Sequence, residues 1–244
     1  MDEIIRPDWP APSNIAAFVT TRKEGVSRAP FAGFNLGRHV GDDPVAVESN
    51  RMRLSALLPG EPLWLDQTHG DVVVCADTDH PVVPSADAAV SRQAGNVCVV
   101  MTADCLPVLF CDRSGQVVGA AHAGWKGLLA GVLENTLRAM NVPPRDVMTW
   151  FGPAIGPEAF EVGGDVYLAF IEKDPCAQAA FHASPTPGKW RADIFQLARL
   201  RLERAGVTEI HGGGISTHAD EGRFYSYRRD GVTGRFASLI WRIN

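Results

Sequence analysis

No stretch of this 244-residue chain approaches the roughly 18 consecutive apolar residues that a membrane-spanning helix requires. A basic surplus is missing too: 23 lysines and arginines against 28 acids leave a net charge of −5. A general nucleic-acid binder, which presents a dense cationic face to phosphates, is therefore not expected. The opening segment, MDEIIRPDWPAPSN, lacks the basic and then apolar order of a secretory leader, so a cytoplasmic protein is expected. Cysteine is scarce and odd in number: Cys75, Cys98, Cys105, Cys111 and Cys176 do not follow the spacing of a disulfide scaffold and read as free thiols. The seven histidines are scattered singly, which excludes the several histidine-rich copper sites of a multicopper oxidase. Repeats, low-complexity tracts and long linkers are absent as well.

What remains is an ordinary globular composition, 45% hydrophobic and 21% charged, in a chain long enough to bury a real core. One domain spanning 1–244 is expected. Short apolar runs rich in β-branched residues predict strands at Ala16–Thr20, Val72–Cys75, Val97–Met101, Val108–Cys111, Val117–Ala121 and Val147–Phe151. Helical spacing over Leu128, Val132, Thr136, Leu137 and Met140 predicts one helix after Gly127. A second is predicted over Ile194–Ala205, with Asp193 as its N-cap and Gly206 as its stop, and a third over Asp165–Glu172. Clusters of consecutive strands point to an α/β fold of the α+β sandwich kind, a mixed β-sheet flanked by helices, in place of strict βαβ alternation.

The chemistry-bearing residues fall in three short segments: Asp66-Gln67-Thr68-His69-Gly70, Thr102-Ala103-Asp104-Cys105-Leu106-Pro107 and His122-Ala123-Gly124-Trp125-Lys126-Gly127. Each lies at a predicted strand end, where a rigid sheet can hold distant residues at one rim, so His69, Cys105 and His122 can converge. Two imidazoles and a thiolate with an open fourth position suit a catalytic zinc. Spacing leaves two other readings open: a metal-free cysteine hydrolase, in which His122 or His69 deprotonates Cys105 and Asp104 orients the imidazole, and packing histidines, with His80 or His218 near the site instead.

Eight further stretches complete the pattern with these three segments: Thr20-Thr21-Arg22, Gly25-Val26-Ser27, Phe34-Asn35-Leu36-Gly37, His39-Val40-Gly41-Asp42-Asp43-Pro44, Gly152-Pro153-Ala154-Ile155-Gly156-Pro157, Phe160-Glu161-Val162-Gly163, Phe224-Tyr225-Ser226-Tyr227-Arg228-Arg229-Asp230 and Thr233-Gly234-Arg235. In this order, from about Ala16 to the C-terminus, the chain resembles the YfiH family. The resemblance implies a compact α/β sandwich with a mixed sheet. It also implies purine nucleoside phosphorylase activity on adenosine, inosine and methylthioadenosine, with adenosine deaminase activity beside it. Family names further carry polyphenol oxidase (laccase-domain) activity and a role in peptidoglycan editing. The metal ligands it implies are His69, Cys105 and His122, with Zn²⁺ favoured and Cu²⁺ as the alternative.

Carried onto this chain, the catalytic set is Cys105, His69, His122 and Asp104, with Asp104 or Glu161 as a proton shuttle. Arg22, Asn35, His39, Lys126, Arg228 and Arg229 are substrate-binding candidates, the cations among them for inorganic phosphate as co-substrate. Trp125 reads as a core residue. Small-molecule nucleosides and phosphate are the expected partners, without nucleic acid or membrane, for a monomer or homodimer. Two departures from the family pattern stand out: Ser216 where relatives often carry cysteine, and Lys126 where an arginine is usual, which keeps the charge but loses the planar bidentate fork.

Overall fold

A computed structural model describes residues 4–243; Met1 to Glu3 and Asn244, the ends of the expected 1–244 domain, lie outside the described residues. In chain order the strands are β1 (Ile15–Val19), β2 (Pro62–Leu63), β3 (Val73–Cys75), β4 (Ala88–Ser91), β5 (Val97–Thr102), β6 (Leu106–Asp112), β7 (Val118–Ala123), β8 (Val147–Phe151), β9 (Glu161–Gly163), β10 (Phe181–Ala183), β11 (Lys189–Ala192), β12 (Glu209–Gly212) and β13 (Phe236–Arg242). The helices are α1 (Pro44–Ser55), α2 (Trp125–Ala130), α3 (Val132–Met140), α4 (Gly164–Lys173), α5 (Ile194–Arg204) and α6 (Tyr227–Asp230).

Two sheets form the body. One runs β1-β13-β5-β2 and the other β12-β8-β6-β7-β4-β3, each mixing parallel and antiparallel pairs; β10-β11-β9 make a small separate ribbon. An inner core of Cys98, Val100, Leu109, Ala120, Trp150, Phe236 and Ile240 is shared by strands of both sheets and welds them face to face. The outer face of the six-stranded sheet is covered by α2 to α5 through Leu128, Leu133, Leu137, Phe170, Leu197 and Leu202. That of the four-stranded sheet packs with Leu54 of α1 over Val97, Val99, Met101 and Leu239. The result is a four-layer αββα sandwich, the fold class the patterning predicts. Strands β5 and β6 are buried along their whole length, and so carry unbroken apolar runs instead of alternation. Among the described residues, no helix is long and apolar enough to cross a membrane.

Two local readings are corrected, and one helix is found where none was expected. The single helix expected after Gly127 is two helices, because Gly131 adopts φ +118, a left-handed conformation that breaks the hydrogen-bond ladder between α2 and α3. Helix α1 is invisible to an amphipathic search: its buried residues are Val47, Asn50, Arg51 and Leu54, half of them polar. Asn50 donates to Ser27 Oγ and to the carbonyls of Gly33 and Asn35, and Arg51 Nε to that of Leu36, so both are buried for hydrogen bonding. Finally, His122 lies within β7, not in the turn after it. Helix α5 follows its reading closely, with Asp193 Oδ1 accepting from Gln196 N at 3.0 Å.

Candidate metal centre

Antiparallel pairing of β6 with β7 sets Pro107 opposite His122 and Leu106 opposite Ala123, which places Cys105, one residue upstream, beside His122. Strand β4 pairs on the other side of β7, Ala88 opposite Ala121, so Asp87 arrives next to His122 from that flank. The loop carrying His69 is laid alongside by backbone hydrogen bonds from Asp66 N to Pro84 O and from Asp87 N to Val72 O. One nitrogen of each imidazole and the Cys105 Sγ consequently lie within 4.8 Å of one another. Among the described residues this is the sole cluster of three or more such donors. His122 is buried, Cys105 half-buried and His69 exposed, so the cluster closes toward the sheet and opens toward solvent.

Asp87, fully buried, organises the cluster. Its Oδ1 accepts from His122 Nδ1 at 2.8 Å and from His69 N at 2.9 Å; its Oδ2 accepts from Thr68 N, Thr68 Oγ1 and Gly70 N at 3.2, 3.0 and 2.7 Å. These bonds hold His69 at φ +61, a left-handed conformation costly for a residue with a Cβ. A carboxylate on the far nitrogen of a histidine is the arrangement that orients imidazole ligands toward metals. Gly124 backs onto the cluster: a Cβ there would meet Cys105 Sγ at 3.0 Å and His69 Cδ2 at 3.1 Å, so glycine keeps the space among the donors clear.

Charge follows from this packing. Burial pushes the Cys105 thiol up, but the charge of His122 and hydrogen bonds from both histidines outweigh it and bring the thiol down to about 6. Burial disfavours the cation of His122, yet the Cys105 thiolate and Asp87 raise it to about 9. For Asp87 burial is outweighed by the His122 hydrogen bond and charge, which hold the carboxyl below its ordinary range. By contrast, burial, helped by the charge of Asp77 near Cys98 and of Asp112 near Cys111, pushes Cys98 up strongly and Cys111 up to about 12. Thiolate character thus concentrates at Cys105. The donor set, two nitrogens and one available thiolate with a supported second shell, fits zinc and also fits a single copper ion.

The cluster forms one wall of a cleft of about 460 Å³, lined also by His39, Gln67, Met101, Trp125, Ile155, Phe160, Tyr227, Arg228 and Arg235. Trp125, read as a core residue, is half-buried: it packs against the core and lines the cleft. Of the expected binding residues, His39 and Arg228 reach the cleft. Arg22 lies in a different crevice with Lys23 and Glu221. Lys126 is exposed, its Nζ 5.7 Å from the Trp125 ring centre, and does not line the cleft. Arg229 is spent on the carbonyls of Thr217, His218 and Phe224 and on Asp230. Asn35, fully buried, binds Asp42 and the backbone of Gly37 and Arg235.

The role given to Asp104 also changes. Its carboxylate accepts from Thr217 Oγ1 (2.7 Å), Ser226 Oγ (3.0 Å) and Arg228 N (2.7 Å), not from an imidazole. The imidazole partner is Asp87, a lone acid ahead of the apolar run Ala88–Val90; a buried charge in such a context must be paired, and that was its signal. Glu161 turns to Ser184 beside the β9 ribbon, away from the cleft. His80 bonds the Cys75 carbonyl, and neither it nor His218 joins the cluster. Ser216, at the position where relatives often carry cysteine, accepts from Ala219 N within a turn.

Comparison with known proteins agrees with this architecture. A family model described as multi-copper polyphenol oxidoreductase laccase matches residues 16–243. The purine nucleoside phosphorylase of Pseudomonas aeruginosa is 57% identical over 241 residues, covering 99% of each chain. The chain belongs to the YfiH family. The Escherichia coli relative, a purine nucleoside phosphorylase named YfiH, is 51% identical over the whole of both chains. The crystal structure of a Neisseria meningitidis member superposes with a TM-score of 0.95 at 50% identity, covering 99% of each chain. The description names several coppers, whereas the described residues hold one three-donor cluster that could hold a single metal ion.

Proposed function

We propose that this member of the YfiH family is a zinc-dependent purine nucleoside phosphorylase, acting on adenosine, inosine or methylthioadenosine with inorganic phosphate, and that the same cleft deaminates adenosine. The observation that carries the reading is the His69, Cys105 and His122 cluster, open on its cleft side and braced by Asp87 on its buried side. Relatives covering the full chain and named for phosphorolysis support the substrate class. Zinc held by these three residues supplies Lewis acidity at the cleft wall.

In phosphorolysis a phosphate oxygen forms a bond to ribose C1′ while the bond from C1′ to the purine nitrogen breaks, and the purine departs with the electron pair and takes up a proton. The protein's contribution is to place the two reactants and to stabilise the charge that develops. The apolar side of the cleft, Ile155, Phe160 and Trp125, offers a bed for a flat heterocycle, and Arg228 and Arg235 bring positive charge to the same cleft. Asp87 holds a proton on His122 Nδ1, which leaves Nε2 to serve as the ligand atom. A donor set that also suits copper favours one second reading, slow phenol oxidation by a copper-loaded form.

The test is product analysis of the zinc-loaded protein with adenosine, with and without phosphate. Phosphate-dependent adenine and ribose 1-phosphate are expected, and Cys105→Ala, folded by circular dichroism, is expected to lose both its stoichiometric zinc and its turnover. Adenosine left intact in the presence of phosphate defeats the phosphorylase reading; inosine formed without phosphate reassigns the protein to deamination alone.

A further inference from the structure

Two arginines of the cleft are held in an unusual state. Arg235 Nη1 donates to the carbonyls of Thr233 and Gly234 at 3.0 and 2.9 Å, and Arg228 Nη1 to those of Ala159 and Glu161 at 3.2 and 2.8 Å. Each guanidinium is therefore oriented through one nitrogen, while neither forms an ion pair with any described carboxylate. Arg235 is pinned from behind as well. Its backbone N donates to Asn35 Oδ1 at 2.8 Å, its carbonyl accepts from Leu36 N at 3.1 Å, and its stem lies against Gly37, where a Cβ would come within 2.9 Å of Arg235 Cγ. The buried Asn35 thus serves the cleft by positioning Arg235.

The negative charges that act on Arg235 in the cleft are already engaged, the Cys105 thiolate by His69 and His122 and Asp104 by hydrogen bonds. Asp104 is the one acid among the lining residues, and its oxygens already accept three hydrogen bonds. The same carboxylate fixes the Arg228 backbone beside Cys105, so the arginine is placed by the segment that carries a metal ligand. Burial and the charges of Arg235 and Arg51 lower the proton affinity of His39, which places the field of Arg235 at the cleft lip. Arg235 is half-buried and Arg228 exposed, and a pre-oriented guanidinium with free N–H groups and no directly paired carboxylate is a site for an anion that arrives from solution.

We propose that Arg228 and Arg235 form a clamp for the phosphoryl group of the substrate, taking inorganic phosphate between two pre-oriented guanidinium groups beside His69, Cys105 and His122. This rests on the phosphorylase reading and deepens it: the phosphate contacts come from the β13 entry and the α6 turn, not from Arg22, Lys126 or Arg229. The same chemistry would also receive the phosphate of a nucleoside 5′-monophosphate, and the experiment separates the two sources.

In the zinc-loaded protein, KM for phosphate and KM for adenosine are measured for wild type, Arg228→Gln, Arg235→Gln and Arg235→Lys, together with inhibition by adenosine 5′-monophosphate. Each glutamine variant is expected to raise KM for phosphate by about tenfold or more with little change for adenosine, and Arg235→Lys, which keeps the stem against Gly37, to restore part of the loss. Arg22→Gln and Lys126→Gln are expected to behave as wild type. Weaker inhibition by the monophosphate with an unchanged KM for phosphate keeps the clamp and assigns it to a phosphate ester. Phosphate-dependent wild-type turnover with both constants unchanged in folded Arg228→Gln and Arg235→Gln overturns the clamp and leaves the phosphorylase reading intact. Wild-type turnover that needs no phosphate sinks the reading instead; direct titration with inorganic phosphate, followed by ³¹P NMR, then decides the clamp alone.

Discussion

Two buried aspartates flank the candidate metal-ligand cluster and do different work. Asp87 accepts five hydrogen bonds, four from the His69 loop and one from His122, and so fixes two ligands at once. Asp104, one residue from Cys105, accepts three, all from the C-terminal segment that carries Thr217, Ser226 and Arg228. Both carboxylates are removed from water and both are fully partnered, as buried charges must be. What separates them is the identity of the donors: imidazole and ligand-loop amides make Asp87 a brace for metal ligands, whereas hydroxyls and a distant amide make Asp104 a staple between the ligand strand and the cleft wall.

The sharpest way to break this contrast is Asp87→Asn, which keeps the shape but supplies an NH₂ group where only acceptors fit. Zinc affinity is expected to fall about 10- to 100-fold, as for other outer-shell partners, with the fold retained; competition against a chelating dye measures it. Should zinc affinity stay at the wild-type value, Asp87 is no brace. Asp104→Asn is expected to do the converse: zinc stays bound, while stability drops by about 1–3 kcal/mol in chemical denaturation, because one of the three donors meets an amide hydrogen instead of an oxygen. Loss of zinc in that variant would erase the distinction.

The smallest effect expected is on proton affinity. In the metal-free protein the Cys105 thiol, lowered to about 6, is ionised above that pH and protonates as pH falls through it. Alkylation by iodoacetamide at Cys105 is therefore expected to rise with a midpoint near pH 6, while buried Cys98 and Cys111, pushed up by burial, stay inert. Because Asp87 stabilises the His122 cation that in turn stabilises the thiolate, Asp87→Asn is expected to move the midpoint upward and Asp104→Asn to leave it in place. Zinc binding, which needs both the Cys105 thiolate and an unprotonated His122 Nε2, displaces a proton below about pH 9 and so weakens as the pH falls, more steeply below about 6.

Much of the frame was legible in the chain. The runs at Val97–Met101 and Val147–Phe151 read as buried strands because every side chain in them is apolar or small, and burial on both faces demands that pattern. Helix α5 read correctly because cap, stripe and stop agree. Helix α1 did not, since it buries Asn50 and Arg51 to satisfy loop carbonyls, an arrangement without a periodic apolar signature. In the site, His69, Cys105 and His122 stood out as reactive residue types in strand-end segments. Asp87 did not, although a carboxyl set into an alanine run is itself a sign of a buried partner. Arg22, Lys126 and Arg229 show the opposite error: a charge in a motif says nothing about which way it faces.

Sequence alone therefore determined the mixed α/β class, the core strands and the three residues that cluster as candidate donors, because these depend on local patterning and on side-chain chemistry, whereas the stacking of two sheets came from the fold. The tertiary structure decided everything that depends on pairing across distance. Register between β6 and β7 placed Cys105 beside His122, and the pairing of β4 brought Asp87 to the imidazole. The return of β13 set Arg235 on Asn35 and into the cleft, and the hydrogen bonds of Asp104 drew the α6 turn over it. Hydrogen-bond partners of a buried charge are chosen by the fold, and no spacing along the chain encodes them.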